Sequence, residues 1–319
     1  MDNASLKPDQ PVLQLVEISR SFTIKAGFLA EKKILRAVED VSFQLMRGEC
    51  LGLVGESGCG KSTLGRLCSG LLPPTSGQVL FLGRDLPEAG CGSWARGQIQ
   101  MIFQDPFSSL NPRMTVGDSV AEPLLAQGVD AKVGQEQACA MLATVGLKDV
   151  ERRYPHEFSG GQRQRIAVAR ALVTKPHIVI CDEPVSALDA SVQAQVLNLL
   201  CDMQEQFSPA YLFISHDLNV VGFMCQRILV MYLGRIVEAA SRDAIFSDPR
   251  HPYTKALLAA RGGKASTETI LHGELPSPIN QPLGCTFHPR CPKAVDICRQ
   301  NLPPLKEVSP GWMVRCHLA

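Results

Sequence analysis

The chain has 319 residues, of which 45% are hydrophobic and 20% charged, and its formal net charge at pH 7 is +1. This length and composition exclude a disordered or fibrous chain and predict one large domain with a smaller appendage. The near-zero charge disfavours a nucleic-acid clamp, and no apolar run reaches the roughly eighteen residues of a membrane-spanning helix. Residues 1–12 lack the basic and apolar regions of a signal peptide, so we expect a chain that neither spans nor crosses a membrane.

Strands are predicted before a glycine-rich turn near the start of the chain. Apolar and polar residues alternate over 12–21 and 37–45, and an apolar run follows at 50–54. Residues 55–60 then predict a turn, and 61–67 have helical periodicity. Strand, loop and helix therefore occur in the order that phosphate binding requires.

The turn carries a complete phosphate-loop motif, Gly-Glu-Ser-Gly-Cys-Gly-Lys-Ser at 55–62, matching G-x-x-x-x-G-K-[ST]. Its glycines let backbone N–H groups close around phosphate oxygens, and the next helix offers its positive end. Lys61 would neutralise phosphate charge and Ser62 would bind Mg²⁺, whereas Cys59 fills a free position. The predicted nucleotide-binding residues of this segment are Gly55, Ser57, Gly58, Cys59, Gly60, Lys61, Ser62 and Thr63.

Strands and helices continue to alternate downstream. Residues 116–147 have apolar residues at helical spacing and predict an inserted helical subdomain. A buried strand at 178–181, a helix at about 191–206 and a strand at 211–215 follow. The sequence therefore predicts an α/β fold with a largely parallel sheet covered on both faces.

Two acids end the strand at 178–181. Asp182 and Glu183 are placed where an aspartate can support Mg²⁺ and a neighbouring carboxylate can orient the attacking water. Such a pair alone is more often a solvated turn, but the phosphate loop upstream favours the catalytic interpretation.

A second candidate phosphate contact precedes the helical run 163–173. Ser159, Gly160, Gly161 and Gln162 could present a hydroxyl and backbone N–H groups to a phosphate at a helix start. In isolation the segment would be an ordinary helix N-cap.

With Phe158 before it, this segment resembles the signature motif of ABC ATPases, Phe158 standing where leucine is usual. The resemblance covers about residues 12–238 and implies a P-loop NTPase of the ABC cassette type. Its parts would be a RecA-like core, an antiparallel β subdomain and a helical subdomain at about 105–175, within an ATPase domain of residues 1–260. It also implies that Ser159, Gly160 and Gly161 face the nucleotide of a second ATPase subunit.

The resemblance implies catalytic roles for four residues. Glu183 resembles the general base and Asp182 the acid that supports Mg²⁺. Gln104 resembles the glutamine that senses Mg²⁺ and water and links the site to a membrane subunit. His216 resembles the switch histidine that contacts the γ-phosphate.

Two further residues gain roles from the same resemblance. Asp189 ends a loop, 186–189, that would cross the dimer interface. Phe22 resembles the aromatic residue that stacks on adenine, although Phe28 lies nearby and Phe22 could instead belong to the core.

Stretches at 104–113, 182–189 and 251–254 resemble more narrowly the ATPases of peptide and nickel importers, in particular the second, F-type ATPase of dipeptide and oligopeptide permeases. Such ATPases work in pairs with two permeases and an extracytoplasmic solute-binding protein. The resemblance implies a peripheral location at the cytoplasmic face of the inner membrane, and a permease-binding groove that includes part of 105–125. Peptides are the favoured substrate and nickel or metal chelates the alternative, and the second ATPase could be identical or a divergent paralogue.

The last part of the chain, 261–319, is predicted as a small cysteine-rich extension. So short and proline-rich a segment could scarcely form a core without crosslinks or metal, and four thiolates suit zinc or an iron–sulfur cluster. The spacing of the cysteines does not distinguish zinc from an iron–sulfur cluster. The resemblance to importer ATPases favours a [4Fe–4S] cluster over Zn²⁺ or free thiols. The predicted ligands are Cys285, Cys291, Cys298 and Cys316, with His288 and His317 in reserve.

Two other classes of ABC protein compete with an importer. A soluble ATPase acting on DNA or ribosomes would commonly carry two cassettes or long arms and basic stripes, whereas this chain has one cassette and a near-neutral charge. A regulatory protein that does not hydrolyse ATP would not need Glu183 and His216. We therefore expect an ATPase that uses ATP and Mg²⁺ and does not bind nucleic acid.

Overall fold

The computed structural model describes residues 10–25, 32–86, 95, 97–105, 109–261 and 275–319. Phe28, part of the stretch 104–113 and most of the boundary between the two predicted domains lie outside them. In chain order, the strands of the described part are β1 (Leu13–Lys25), β2 (Lys32–Leu45), β3 (Cys50–Val54), β4 (Ser76–Phe81), β5 (Arg84–Asp85), β6 (Ile99–Ile102), β7 (Ile178–Asp182), β8 (Ala210–Ser215), β9 (Arg227–Tyr232), β10 (Arg235–Ser241), β11 (Lys306–Ser309) and β12 (Trp312–Val314). Its α-helices are α1 (Lys61–Cys68), α2 (Val116–Leu125), α3 (Ala131–Thr144), α4 (Gly160–Leu172), α5 (Ala190–Phe207), α6 (Leu218–Met224), α7 (Arg242–Ser247), α8 (Pro252–Arg261) and α9 (Asp296–Gln300).

The strands form two sheets. The smaller has the order β2-β1-β4-β5, and all of its pairs are antiparallel. The larger has the order β11-β12-β10-β9-β3-β8-β7-β6. Its strands from β9 to β6 are parallel, as predicted, and β10, β12 and β11 extend it antiparallel at one edge.

The antiparallel edge has a local cause. Tyr232 pairs with Arg235, so only Leu233 and Gly234 connect β9 to β10. Both connecting residues have positive φ, +43° and +80°, as in the tight turns that join antiparallel strands. Parallel strands would need a far longer crossover connection.

The central strand β3 carries the phosphate loop out of the core. All five of its residues are buried, because the strand is covered on both faces of the sheet. Cys50 and Val54 pack into the apolar cluster on one face, and Leu51 and Leu53 pack into the cluster on the other. The strand ends at the loop and α1 follows, so the predicted order of strand, loop and helix is confirmed.

The inserted helices α2, α3 and α4 lie within the range predicted for the helical subdomain. Thr115 caps α2 by accepting from the backbone N–H of Asp118, and Asp130 caps α3 in the same way. The buried residues Val120, Ala138 and Ile166, one from each helix, belong to a single apolar cluster. Packing of these faces holds the insertion together.

The C-terminal segment is built into the larger sheet. Its hairpin of β11 and β12 pairs with β10, with Val314 opposite Glu238. Arg315, which is 5% exposed, donates to the carbonyl oxygens of Ile236 and Pro303 and to the carboxylate of Asp40. The end of the chain is therefore tied to both sheets.

Across the described residues, no helix combines the length and the apolar character that crossing a membrane requires.

Candidate nucleotide site

A cavity of about 620 Å³ opens at the carboxyl end of β3, a size typical of small-molecule sites. Most of the residues predicted to bind nucleotide line it. The lining consists of Phe22, Leu35, Arg36, Ala37, Ser57, Gly58, Cys59, Gly60, Lys61, Ser62, Thr63, Gln104, Glu183, His216, Leu233, Gly234 and Pro278.

Gly60 shows why the loop needs glycine. It is the N-cap of α1 with φ +111°, and a Cβ built there would lie 2.2 Å from the carbonyl oxygen of Ala37. A side chain at this position would be both strained and overlapped. Cys59, beside it, is buried against the core, and burial raises the pKa of its thiol, so it presents no reactive thiolate to the site.

The side chain of Lys61 lies against the first residues of the phosphate loop. Its ammonium donates to the carbonyl oxygens of Gly55 and Glu56, at 2.8 and 3.0 Å. The side chain is 5% exposed, so its charge is little screened by water. The loop thus holds a cation where a phosphate would enter.

Ser62 and Asp182 meet beside the loop. The hydroxyl of Ser62 donates to Oδ1 of Asp182 at 3.0 Å. Burial raises the pKa of Asp182, although the hydrogen bond from Ser62 lowers it. Hydroxyl and carboxylate oxygens are the ligands that Mg²⁺ prefers, so this pair fits the predicted metal.

Glu183, Gln104 and His216 converge at the same side of the cavity. Oε2 of Glu183 lies 3.2 Å from Nε2 of Gln104 and 3.1 Å from Nδ1 of His216. Glu183 has a left-handed backbone with φ +49°, an uncommon conformation that favours Gly, Asn or Asp and tends to mark functional sites. Its side chain is 13% exposed, whereas that of His216 is 56% exposed and can reach a ligand in the cavity.

Phe22 lines the cavity from the smaller sheet, opposite Leu35 of β2. The guanidinium of Arg20 lies 4.8 Å from the centre of its ring. Phe22 is only half buried, as an aromatic residue that stacks on a base would be.

The predicted signature residues do not line this cavity. Ser159 caps α4 and forms a capping box with Gln162: each accepts from the backbone N–H of the other, at 3.4 and 3.0 Å. Ser159 and Gln162 are exposed. A Cβ on Gly161 would meet Cγ1 of Val192 at 2.3 Å, so that glycine allows α4 to approach α5 closely.

Asp189 also lies outside the cavity. It caps α5, accepting from the backbone N–H of Val192 at 3.0 Å and from the hydroxyl of Ser191 at 2.8 Å. The hydrogen bond from Val192 lowers the pKa of Asp189, and the one from Ser191 lowers it further. Like Ser159, Asp189 is exposed, so the start of α5 is accessible at the surface of the chain.

Several lining residues gave no signal in the sequence. The carbonyl oxygen of Ala37 lies close to Gly60, the backbone N–H of Gly234 donates to the carbonyl of Cys59, and Pro278 reaches the cavity from the C-terminal segment. Main-chain contacts leave no residue-type signature, and Pro278 is brought in only by the tertiary fold.

Among the described residues, the four cysteines of the C-terminal segment form no disulfide. The pKa of the Cys285 thiol is raised to about 11, chiefly by burial, and the nearby Cys298, Cys291 and Cys316 contribute to the rise. Within the described part of the chain, no three or more His, Cys, Asp or Glu side chains form a group that could hold a metal ion. The prediction of a [4Fe–4S] cluster or zinc is therefore not supported by the arrangement of these side chains.

Two family models match the chain. One, described as "ABC transporter", matches residues 38–186, which hold the phosphate loop, the signature and the acid pair. The other, described as "Oligopeptide/dipeptide transporter, C-terminal region", matches residues 237–298.

Similar proteins match over almost the whole chain. The oligopeptide transport ATP-binding protein AppF of Bacillus subtilis is 48% identical, covering 97% of this chain and 98% of that protein. The dipeptide transport ATP-binding protein DppF of Escherichia coli is 49% identical, covering 96% of this chain and 94% of that protein.

Solved structures resemble the fold. CbiO1 from Clostridium perfringens, part of the ABC transporter complex cbiONQ, is similar with a TM-score of 0.65 at 25% identity, covering 80% of this chain and 98% of that one. The ATP-binding cassette MJ0796, solved as a dimer bound to ADP and Pi, gives 0.63 at 26% identity, covering 72% of this chain and 98% of that one.

Proposed function

Because the chain belongs to the ABC transporter ATPase family, we propose that it is the ATP-hydrolysing motor subunit of an importer for dipeptides or oligopeptides. The main support for ATP hydrolysis is that Glu183, His216 and Gln104 converge at one side of the cavity, beside the phosphate loop. Lys61 of that loop lines the same cavity. This arrangement fits hydrolysis of a nucleoside triphosphate better than binding alone.

ATP would bind with its base beside Phe22 and its phosphates in the loop. The backbone N–H groups at the start of α1 and the ammonium of Lys61 face the phosphate position and favour negative charge there. Ser62 and Asp182, with the amide oxygen of Gln104, would hold Mg²⁺, which neutralises charge on the phosphate oxygens when it is bound.

Glu183 would act as the general base. Its carboxylate accepts a proton from a water molecule as that water attacks the γ-phosphorus, and the bond to the β-phosphate oxygen breaks to give ADP and phosphate. His216, held against Glu183, and Gln104 orient the water and contact the γ-phosphate. The contacts with Gln104 and His216 hold the carboxylate of Glu183 in this position.

The site would be completed by a second ATPase subunit. Ser159, Gly160 and Gly161 do not line the cavity of their own chain, yet they begin a helix with an exposed hydroxyl and with N–H groups that have no partner within the helix. A helix start of this kind suits the γ-phosphate of a partner's ATP. The dimeric cassette MJ0796 with ADP and Pi supports such an arrangement.

The relatives favour peptides over nickel as the cargo. The names of AppF and DppF refer to oligopeptide and dipeptide transport. We accordingly place the chain at the cytoplasmic face of the inner membrane, peripherally bound, with a paralogous ATPase, two permeases and an extracytoplasmic solute-binding protein. The match of residues 237–298 to the transporter C-terminal model argues against a soluble ATPase that acts on nucleic acid or ribosomes.

We also propose, from the sequence resemblance, that Cys285, Cys291, Cys298 and Cys316 take up an iron–sulfur cluster, with zinc as the alternative. The support is the donor chemistry of four thiols within one short segment of the sequence. Binding would require the thiols to lose their protons and to move closer together. Iron, sulfide and zinc analysis of anaerobically purified protein tests this, and colourless protein that contains neither metal would refute it.

Substitution of Glu183 by Gln tests the catalytic proposal. The change removes the base but keeps the size of the side chain, so we expect hydrolysis to fall by roughly a hundredfold or more while ATP still binds. Turnover and binding of a fluorescent ATP analogue should be measured together. Glu205→Gln, on the exposed face of α5, is the control and should leave both unchanged. Rapid hydrolysis by the Glu183→Gln protein would refute the assigned base.

A further inference from the structure

The C-terminal segment contacts the phosphate loop through an ion pair. Nη1 of Arg290 lies 3.0 Å from both carboxylate oxygens of Glu56, the second residue of the loop. The side chain of Arg290 is 6% exposed and that of Glu56 is 24% exposed. We propose that Arg290 is a positioning residue for ATP: it neutralises the carboxylate of Glu56 and holds it where it does not repel the phosphates.

Arg290 is itself rigidly placed. It ends a short 3₁₀ turn, His288–Arg290, that follows Phe287. The ring of Phe287 packs edge-on against Tyr232 of β9, with 5.2 Å between centroids, and lies 5.4 Å from the ring of Tyr253. Phe287 is 1% exposed, so the turn is anchored in the core.

The same aromatic cluster reaches the loop backbone. The hydroxyl of Tyr253 accepts from the backbone N–H of Glu56 at 2.9 Å. The backbone and the side chain of Glu56 are therefore both held by residues outside the loop. The carbonyl of Glu56 in turn accepts from the ammonium of Lys61, so its position bears on the lysine that faces the phosphates.

The charge of Glu56 gives the ion pair a consequence for binding. A carboxylate in a loop that receives a polyanion would repel the phosphates if it were unpaired, and partial burial weakens the screening by water. Arg290 neutralises this charge, and its Nη1 donates to both carboxylate oxygens of Glu56.

The C-terminal segment also contacts residues that line the cavity. The backbone N–H of Arg36 donates to the carbonyl of Pro278 at 3.3 Å, and the amide of Gln281 lies 3.4 Å from the carbonyl oxygens of Arg36 and Leu233. Pro278 lines the cavity beside Arg36. The C-terminal segment thus forms part of the wall of the nucleotide site, an inference that rests on the proposed binding of ATP there.

Binding of a fluorescent ATP analogue to the full-length chain tests the proposal. Arg290→Gln leaves the charge of Glu56 unpaired, and we expect affinity to fall about tenfold. In the double variant Glu56→Gln/Arg290→Gln neither residue is charged, so its affinity for the analogue should recover to within about threefold of the wild-type value. Arg299→Gln, an exposed arginine of α9, is the matched control and should bind as wild type does.

The rescue separates control of the Glu56 charge from simple loss of structure. If Arg290 served only to dock the segment, the double variant would bind as weakly as the single one, and that result would overturn the proposal, as would wild-type affinity in Arg290→Gln. Should Arg290→Gln fail to fold, Arg290→Lys decides: affinity within about threefold of wild type supports the charge argument, and a tenfold loss contradicts it. Wild-type protein that binds no ATP would refute the proposed function instead.

Discussion

Glu183 and Asp182 show how far individual residues could be predicted. Their position after an apolar strand and downstream of a phosphate loop predicts an acid pair for magnesium and water, and the structure places Asp182 beside Ser62 of the loop and Glu183 beside His216. The left-handed backbone of Glu183 could not be predicted, because glutamate has no preference for it. The geometry is imposed by neighbouring structure, including the hydrogen bond from its N–H to the carbonyl of Ile214.

Arg290 and Pro278 are among the residues that sequence reasoning missed. Neither belongs to a motif known to bind nucleotide, and Arg290 lies 234 positions from the Glu56 that it contacts. Contacts of such separation depend on the complete tertiary fold. A recognisable motif predicts the residues inside the loop, but it does not predict what supports the loop from outside.

The buried His251 should make the free energy of unfolding depend on pH. It is 1% exposed, and burial lowers its pKa from the ordinary 6.5 to about 3. The unfolded chain binds this proton more readily, so the stability that neutral His251 contributes is present above pH 6.5 and is lost as the pH falls towards 3. At pH 5.5 the loss from this residue alone should be about 1.4 kcal/mol relative to pH 7.5.

Urea unfolding at these two pH values measures the effect. His251→Asn keeps an acceptor for the backbone N–H of Tyr253, which His251 holds at 3.1 Å, but does not titrate. The difference in unfolding free energy between pH 7.5 and 5.5 should therefore be smaller in the variant by about 1.4 kcal/mol. An unchanged difference would show that His251 is protonated in the folded protein.

At the start of α4, Ser159 caps the helix and is also proposed to contact the ATP of a partner subunit. Ser159→Ala removes the cap and should cost about 1 kcal/mol of stability. Because Ser159 is exposed and lies outside its own cavity, ATP binding by the isolated chain should not change. Hydrolysis by the assembled pair of ATPases should fall, since the hydroxyl would no longer face the partner's phosphate.

Ser241→Ala provides a matched control. Ser241 caps α7 by accepting from the backbone N–H of Ala244 at 3.3 Å, much as Ser159 caps α4. Thermal unfolding should show similar losses for the two variants, whereas only Ser159→Ala should impair hydrolysis. Equal hydrolysis by both would contradict the role proposed for the signature.

Elements with strong periodicity were predicted well. The buried strands β3, β7 and β8 appear as continuous apolar runs, and α5 has clear helical spacing between Asp189 and Ser208. The hairpin of β11 and β12 was not predicted, because its strands are short and largely polar and are stabilised by pairing with β10. Tertiary pairing rather than local preference decides such elements.

At the scale of the whole molecule, the predicted cassette fold and its membership of the ABC family are confirmed by the family models, the relatives and the solved structures. The C-terminal segment, predicted as an appendage, is also part of the architecture: it extends the larger sheet and contributes to the wall of the cavity. The starts of α4 and α5 are exposed, and under the proposed function they are where a second ATPase would bind.

The central claim is that ATP hydrolysis by this chain drives peptide import. The most direct measurement is the ATPase rate of proteoliposomes that hold this chain, its partner ATPase and the permeases, with and without a peptide-loaded binding protein. We predict that the loaded binding protein raises the rate severalfold and that Glu183→Gln abolishes the increase. A rate unaffected by permeases and binding protein, yet raised by DNA or ribosomes, would contradict the account.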